Sequence, residues 1–420
     1  MRQNAPYRNH MGPLWLASLL ATAALLVLGL RAWILGDPHL RGHMIGFDFV
    51  NLWSGAHLAH LGAVGSLFDF DAYNQFVRAH FGAGYPLHLW SYPPHFLTLI
   101  YPLAAFDYFP ALLIWSAVTL LVFVWGLRQL GFRGSDLILL ALGPATAMNI
   151  FSGQTGLLAA GLLFAVIGNF GHRPWLAGIC AGLLTIKPQL GLLVPLLLLV
   201  QWQWRVVLAG ALTLAVLVSL SLLWFGSEPW QGFRDMTLPL GVRVMLSADM
   251  AGAIPLRPGW GTGLQLLGLP VAAAFAIQSA IAIALVAATL WLMWWRPRFH
   301  AATPVVGPRL WAPLLMATLL VTPYLHNYDL TLMAPVVLWC WRDPALAANP
   351  SSLKVAGSRL FLILAWLLPW IVIPFNRADI PIGPAILTGL AFWTMLALYQ
   401  AQDRAAQERS LQERGAPGQR

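Results

Sequence analysis

The sequence predicts an all-α polytopic membrane protein, and three observations carry that prediction. The chain has 420 residues, of which 59% are hydrophobic and only 9% are charged. Soluble proteins average about 25% charged residues, so this chain has too few charged side chains to cover a soluble surface. Long apolar runs separated by short polar breaks recur along the sequence. Runs of about 20 apolar residues are typical of transmembrane helices.

The strongly basic balance is explained by membrane topology. The formal net charge is +9, which in a soluble protein would suggest a nucleic-acid partner. In a polytopic protein, arginine on cytoplasmic loops sets the orientation of the spans, so we expect the lipid bilayer and no nucleic acid as a partner. Cys180 and Cys340 both lie inside apolar runs, which predicts no disulfide or metal framework. His57 and His60 lack a clear third ligand, and we expect no metal and no cofactor.

The first apolar run extends from Leu14 to about Leu35, with Arg2 and Arg8 before it. Signal peptides have a shorter apolar core of roughly 7–15 residues, followed by a small-residue cleavage site. This run is long enough to span a bilayer. It therefore predicts an uncleaved signal anchor whose N-terminus lies in the cytoplasm.

A long outer loop follows, from about residue 36 to 107. Its segment from Leu52 to His60 is typical of an amphipathic helix lying on the membrane. A second helix is expected to begin with Asp69 or Asp71 as its N-cap. The apolar stretch after Tyr92-Pro93-Pro94 covers only about a dozen residues, which favours a re-entrant segment or the outer part of a bent helix.

The remaining apolar runs predict further spans, and the total with the anchor is about 12. The expected ranges are about 109–127, 136–151, 156–170, 175–187, 189–202, 205–225, 271–295, 310–325, 328–341, 360–375 and 381–399. With both termini inside, most lysine and arginine residues fall on the cytoplasmic side, as the positive-inside rule requires. Residues 1–400 are thus expected to form one integral-membrane domain and 401–420 a short cytoplasmic tail. The loop at about 226–270 would be either the acceptor side of a cleft or a lid.

This topology places the unusual polar stretches together at the outer face. They surround Asp48, residues 152–156, residues 185–189 and residues 322–329, and Tyr92 joins them from the long loop. Charged and polar residues at membrane depth are costly and by default indicate function.

Asp48 lies between Phe47 and Phe49, just beyond the first span. A carboxylate flanked by rings at a bilayer surface is partly desolvated, which raises its basicity and suits a general base. The alternative is a carboxylate that caps a surface helix.

Lys187 and Gln154 each allow two interpretations. Lys187 follows an apolar helix and precedes a proline, where it could meet a phosphate as a point charge or extend to the lipid headgroups. Gln154 lies beside glycines that permit close approach, so it could bond a sugar hydroxyl or cap a helix. Tyr92, Trp90 and Trp53 could stack on a sugar or anchor the protein at the interface.

His326-Asn327-Tyr328-Asp329 opens a predicted span. His326 could donate to a leaving phosphate or a sugar hydroxyl, and a structural histidine is the alternative. Asp329 could cap the helix that follows. No phosphate-binding loop or other soluble-enzyme motif is present, and the inner loops are too short for a nucleotide-binding domain.

A transporter or flippase for a lipid-linked or polar solute is the competing class. Transporters place polar groups near the bilayer midplane, often in two repeated halves. In this sequence the polar stretches gather at one face and their order is not repeated. This arrangement favours an enzyme.

The order of motifs resembles glycosyltransferase family 87. The motifs are Phe-Asp-Phe after the first span, Trp-x-Tyr-Pro-Pro, Gly-Gln-Thr-Gly, Leu-Thr-Ile-Lys-Pro-Gln and Thr-Pro-Tyr-x-His-Asn-Tyr-Asp. The resemblance extends from about residue 40 to 340. It implies a GT-C fold and an inverting transfer of a hexose, often mannose, from a polyprenyl-phosphate donor to a lipid or glycan acceptor.

The resemblance also implies roles for individual residues. Asp48 would deprotonate the acceptor hydroxyl, and Lys187 and His326 would stabilise the departing lipid phosphate. Tyr92, Gln154, Asn327 and Asp329 would orient the donor or acceptor. No nucleotide or metal would be needed. The enzyme would be a multi-pass protein of the plasma (inner) membrane, with its active site facing the outer, periplasmic side.

Overall fold

The computed structural model describes residues 11–35, 45–200, 202–246, 254–295, 308–343 and 353–415. All the regular secondary structure assigned among these residues is helical, as the composition predicts. The chain divides into two compact units. The N-terminal unit comprises residues 12–191 and 205–252, and the C-terminal unit comprises residues 1–11, 192–204 and 253–420. The single domain over 1–400 stays a prediction. Arg2, Arg8 and the last five residues of the predicted tail lie outside the described residues.

The helices of the N-terminal unit follow the predicted order, and residues 205–252 supply the last part of the unit. Its α-helices are α1 Gly12–Leu35, α2 Phe49–His60, α3 Phe70–Phe81, α4 His95–Ile100, α5 Tyr108–Gln129, α6 Ser135–Ala141, α7 Pro144–Ser152, α8 Gly156–Asn169, α9 Pro174–Leu183, α11 Trp204–Phe225, α12 Glu228–Gly232 and α13 Leu238–Leu246. Short 3₁₀ helices cover Val64–Phe68, Tyr101–Ala105, Leu184–Ile186 and Pro188–Leu190, and a π-helix covers Phe233–Thr237.

The C-terminal unit contains the other long helices. Its α-helices are α10 Leu193–Val200, α14 Trp260–Leu266, α15 Val271–Leu290, α16 Pro308–Val321, α17 Ala334–Trp341, α18 Leu353–Arg377 and α19 Ile382–Gly415. The 3₁₀ helices Ile254–Leu256 and Asn327–Leu332 and the π-helix Trp291–Trp295 complete it. The predicted loop at 226–270 is therefore partly helical and contributes to both units, while its residues 247–253 lie outside the described residues.

The protein is an integral membrane protein. Five described helices are long and apolar enough to cross a bilayer, namely Tyr108–Gln129, Trp204–Phe225, Val271–Met293, Lys354–Arg377 and Ile382–Arg404. The pair Ser135–Ala141 and Pro144–Ser152 is bent by 43° and would count as a sixth span. Several predicted spans are shorter helices, such as Gly156–Asn169 and Pro174–Ile186. The count of about 12 stays a prediction.

Glycines bring the helices of the N-terminal unit close together. A Cβ atom on Gly126 of α5 would collide with the backbone of Gly161 on α8. Gly178 and Gly182 of α9 meet α11 in the same way. Small residues at such crossings allow helices in a membrane to approach closely and gain van der Waals contact. These crossings fix the helix ends on which the polar stretches lie.

The helix predicted to lie on the membrane surface is instead buried. Helix α2 places Phe49, Leu52, Trp53 and Leu58 in an aromatic core with α3 to α5. Apolar side chains are buried on more than one face of α2, so the prediction of a helix lying on the membrane surface was wrong. The predicted N-cap of α3 is confirmed, because the Asp69 carboxylate accepts hydrogen bonds from the backbone N–H groups of residues 71 and 72, both at 3.0 Å.

The last predicted span and the described part of the predicted tail form one helix. Helix α19 continues without a break from Ile382 through residue 400 to Gly415. The side chain of Gln402 is buried and donates to the carbonyl of Leu292 at 2.8 Å. This bond ties the start of the predicted tail into the C-terminal unit.

Candidate active site

Asp48 lies in a turn that is fixed to the loop between α7 and α8. The N–H of Gly46 donates to the carbonyl of Phe151 at 2.6 Å, and the N–H of Asp48 donates to the carbonyl of Ser152 at 3.0 Å. The Tyr108 hydroxyl donates to the Gly46 carbonyl at 2.5 Å. These bonds hold the Asp48 backbone independently of its side chain.

The Asp48 carboxylate does not cap a helix, although Asp48 occupies the N-cap position of α2. Its backbone is helical, with φ −87° and ψ −21°, and its side chain makes no capping hydrogen bond. N-cap residues normally have extended dihedrals and accept a bond from the first turn. The capping interpretation was therefore wrong, and the carboxylate has other partners.

Gln154 is the hydrogen-bond partner of the Asp48 carboxylate. The Gln154 Oε1 accepts from the Tyr92 hydroxyl at 3.2 Å and from the N–H of Thr155 at 3.3 Å. With its oxygen used in this way, the amide presents its N–H₂ group to Asp48. Tyr92 thus orients the Gln154 amide, whose hydrogen bond lowers the pKa of Asp48.

Lys187 contributes positive charge to the same site. It lies between the two short 3₁₀ helices that follow α9, and the residue is only 6% exposed. Its positive charge lowers the pKa of the Asp48 carboxyl group. A lysine that extends to lipid headgroups would be exposed, so burial beside a carboxylate argues against that alternative.

The carboxylate of Asp48 has an unusual proton affinity. Burial raises the pKa of Asp48 from 3.8 to about 6, and the Gln154 hydrogen bond and the electrostatic effects of His88 and Lys187 oppose that rise. Desolvation disfavours the charged form of an acid, whereas donors and cations favour it. An acid with this pKa is ionised near neutral pH and still accepts a proton readily.

His88 and Tyr85 belong to this site, and the sequence reasoning missed them. The His88 ring nitrogen Nε2 and the Tyr85 hydroxyl each lie 3.2 Å from the carbonyl of Phe47, directly before Asp48. Burial and the Asp48 carboxylate together raise the pKa of Tyr85. Both residues come from a loop with no motif spacing. The only available signal was the richness of that loop in histidine and aromatic residues.

Trp90 and Trp53 are packed in the core of the N-terminal unit. Trp90 is fully buried, and its ring lies against Gly55 so closely that a Cβ atom there would collide with it. The Trp53 indole donates to the carbonyl of Phe106 at 3.2 Å. Neither ring is available as a sugar platform or as an interface anchor, so both interpretations were wrong for these residues.

The other predicted site residues belong to the C-terminal unit and make structural bonds within it. His326 and Asp329 form a capping box at the start of Asn327–Leu332, in which the Asp329 carboxylate accepts from the His326 N–H at 3.2 Å. The His326 ring also stacks on Tyr328 at 5.1 Å. The Asn327 amide donates to the carbonyl of Pro369 at 3.0 Å. The capping alternative for Asp329 is thus realised.

No group of three or more His, Cys, Asp or Glu side chains within the described ranges could hold a metal ion.

Residues 90–323 match the family described as glycosyltransferase family 87. The match covers more than half of the 420 residues. The chain belongs to glycosyltransferase family 87. No curated protein and no solved structure matches the chain. Family 87 membership gives glycosyltransferase activity in general terms and agrees with the resemblance seen in the motifs.

The family 87 match contains only part of the candidate site. Tyr92, Gln154 and Lys187 lie inside residues 90–323, whereas Asp48 precedes the matched segment and His326 follows it. The geometry links Asp48 to the matched segment, because its carboxylate bonds Gln154 and its backbone bonds Ser152. The role of Asp48 therefore depends on this geometry rather than on the match.

Proposed function

We propose that this family 87 enzyme transfers a hexose, expected to be mannose, from a polyprenyl-phosphate donor to a hydroxyl of a lipid or glycan acceptor. The transfer would invert the anomeric carbon. The observation that carries the proposal is the carboxylate of Asp48. It leaves its helix uncapped, bonds Gln154 and has a pKa raised to about 6.

Asp48 acts as the general base in this reaction. Its carboxylate takes the proton of the acceptor hydroxyl while the acceptor oxygen forms a bond to the anomeric carbon. The bond between that carbon and the donor phosphate oxygen breaks, and its electron pair stays on the phosphate. Polyprenyl phosphate leaves from the opposite face of the sugar. Asp48 is a stronger base than an ordinary aspartate because burial disfavours its charged form.

Lys187 supplies charge where the donor phosphate departs. A buried ammonium group is a strong electrostatic stabiliser of a developing oxyanion, because the low-dielectric surroundings screen it poorly. Its proximity to Asp48 also keeps the carboxylate ionised. Gln154 and Tyr92 hold the carboxylate in one orientation, and their polar ends offer hydrogen bonds to the sugar or the acceptor.

The proposed reaction does not depend on the predicted roles of His326, Asn327 and Asp329. Their side chains are engaged in the capping box and in a bond to the Pro369 carbonyl. A contact of His326 with the donor phosphate stays a prediction, as do substrate contacts of Asn327 and Asp329.

The reaction is assigned to the outer, periplasmic face of the plasma (inner) membrane. The distribution of lysine and arginine supports this orientation by the positive-inside rule. A lipid-linked donor reaches the site from the bilayer, and neither a nucleotide nor another cofactor takes part. Family 87 membership favours this enzyme over a transporter or flippase.

Sugar transfer in membranes tests the proposal directly. We would supply polyprenyl-phosphate-[³H]mannose and a host lipid extract to membranes that contain the parent protein, Asp48→Asn or Asp71→Asn at equal expression. Asp71 is an exposed carboxylate of the same outer loop whose side chain lies outside the site. The parent and Asp71→Asn should form labelled product, and Asp48→Asn should form none above background.

Equal transfer by the parent and Asp48→Asn would refute the role of Asp48. If Asp71→Asn also lost transfer, the loop would be sensitive to any charge change. The loss in Asp48→Asn would then no longer support a specific role for Asp48. Failure of the parent with every polyprenyl-phosphate hexose would refute the proposed donor class.

A further inference from the structure

Arg257 is a buried cation in the C-terminal unit. It follows the 3₁₀ helix Ile254–Leu256, and only 7% of the residue is exposed. Its Nε atom is buried without a hydrogen-bond partner. No carboxylate in the described part of the chain pairs with its guanidinium group. Charged groups are rarely buried in this way unless an opposite charge joins them.

The backbone around Arg257 is held rigidly on two sides. The Asn376 amide of α18 donates to the carbonyl of Arg257 at 3.0 Å and to that of Pro255 at 3.3 Å. The next residue, Pro258, packs against Gly383 so closely that any side chain at Gly383 would collide with its backbone. The backbone that carries the Arg257 side chain is therefore fixed in place before any partner binds.

Two tyrosines of the same unit act on the charge of Arg257. Tyr324 and Tyr328 interact with it electrostatically. Burial lowers the pKa of Arg257, and these two hydroxyl groups only partly offset the effect. Asp329 is the nearby carboxylate, and it is engaged with the His326 N–H. Hydroxyl groups can donate hydrogen bonds to an anion, so Tyr324 and Tyr328 could add donors to those of Arg257.

We propose that Arg257, with Tyr324 and Tyr328, binds the phosphate oxyanion of a lipid. A guanidinium group matches two phosphate oxygens with parallel N–H donors, which a neutral or cationic ligand could not use. In an integral membrane protein, lipids are an abundant source of phosphate groups for such a cation. A polyprenyl phosphate and a bilayer glycerophospholipid offer the same phosphate chemistry to this site.

Lipid binding by the purified full-length protein in detergent tests the inference. The probes are polyprenyl monophosphate, the matching polyprenol without phosphate, and phosphatidylglycerol. Binding is followed by native mass spectrometry and by the midpoint of thermal unfolding. The variants are Arg257→Met, Arg257→Lys and the control Arg234→Met, which removes an exposed arginine that pairs with its neighbour Asp235.

The parent should bind polyprenyl monophosphate more tightly than polyprenol. Arg257→Met should weaken phosphate-lipid binding by about 10-fold to 100-fold, as expected for lost hydrogen bonds to a charged group. Arg257→Lys should retain part of the affinity, and Arg234→Met should retain all of it. Equal binding of phosphatidylglycerol and polyprenyl monophosphate would assign the same site to bilayer lipid.

The unfolding midpoint without lipid separates a binding role from a structural one. Because Arg257→Met removes a buried unpaired charge, its midpoint should not fall below that of the parent. A lower midpoint with unchanged phosphate-lipid affinity would overturn the inference. The proposed reaction can be refuted without refuting this site. If the parent binds polyprenyl monophosphate through Arg257 but transfers no sugar, the lipid site is supported and the proposed reaction is refuted.

Discussion

Replacing Gln154 by leucine removes the amide that holds the Asp48 carboxylate. That amide donates to the charged form of Asp48 and is itself fixed by the Tyr92 hydroxyl at 3.2 Å. Leucine is similar in size and offers no donor. The ionised form of Asp48 should lose a stabilising bond while its backbone stays in place, because that backbone is held by Phe151 and Ser152.

The size of the effect follows from the strength of such bonds. A hydrogen bond to a charged group contributes about 1.5–3 kcal/mol, and the half-exposed Gln154 belongs at the low end. About 1.4 kcal/mol corresponds to one pKa unit, so the pKa of Asp48 should rise from about 6 to about 7. The ionised fraction would then fall about threefold at about pH 6.5 and hardly at all at about pH 8.5.

The assay is the pH dependence of kcat/KM for sugar transfer from polyprenyl-phosphate-mannose. The acidic limb of Gln154→Leu should lie about one pH unit above that of the parent. Gln75→Leu, at an exposed glutamine of α3, should leave the limb unchanged. An unshifted limb with a lower plateau in Gln154→Leu would refute the reasoning, since Gln154 would then act without changing the proton affinity of Asp48.

Three further outcomes follow from the same geometry. Transfer by the parent should fall as the pH drops through about 6, because Asp48 must be deprotonated to accept a proton; a pH–rate profile measures this. Lys187→Met should lower kcat/KM by about 10²-fold, the usual effect of losing one stabiliser of a developing oxyanion, as initial-rate kinetics would record. Gly153→Ala should cost about 2 kcal/mol of stability, because Gly153 has φ +71° and a Cβ atom there would collide with Phe49. Thermal unfolding in detergent measures that loss.

Matched variants control these measurements. Lys354→Met removes the other lysine, which is exposed, and should leave kcat/KM unchanged. Gly84→Ala adds a methyl group where no atom lies within 4 Å and φ is not positive, so its unfolding midpoint should match that of the parent. Activity that persists at pH 5, full activity of Lys187→Met, or an unchanged midpoint of Gly153→Ala would each contradict the corresponding expectation.

The helical class and the positions of the breaks could be predicted because they depend on local sequence. Apolar runs long enough to span, and polar residues between them, set the ends of α5, α8 and α11 to within a few residues. The N-cap at Asp69 was predictable for the same reason, since capping involves only neighbouring residues.

The surroundings of α2 could not be predicted from its composition. An apolar face is equally compatible with a lipid surface and with a protein interior, and only the packing of α3 to α5 against α2 decides between them. His88 was missed for a related reason. Its contact with the Phe47 carbonyl joins residues 41 positions apart, and no local spacing encodes it.

The sequence placed Asp48, Gln154 and Lys187 at one face without fixing which side chains meet. The hydrogen bond between Gln154 and Asp48 depends on the backbone bonds that join the two turns. His326 and Asp329 appeared equally suited to chemistry, but a short polar segment before a helix also supplies capping groups. The structure uses them in that way.

Donor binding and transfer measured together on Asp48→Asn test the central claim most directly. The measurement compares the Kd for polyprenyl-phosphate-mannose with the single-turnover rate, in the parent and in the variant. A general base predicts an unchanged Kd and a rate lowered by at least about 10²-fold. An unchanged rate, or a weakened Kd that alone accounts for the lost activity, would contradict the assignment of Asp48 as the base.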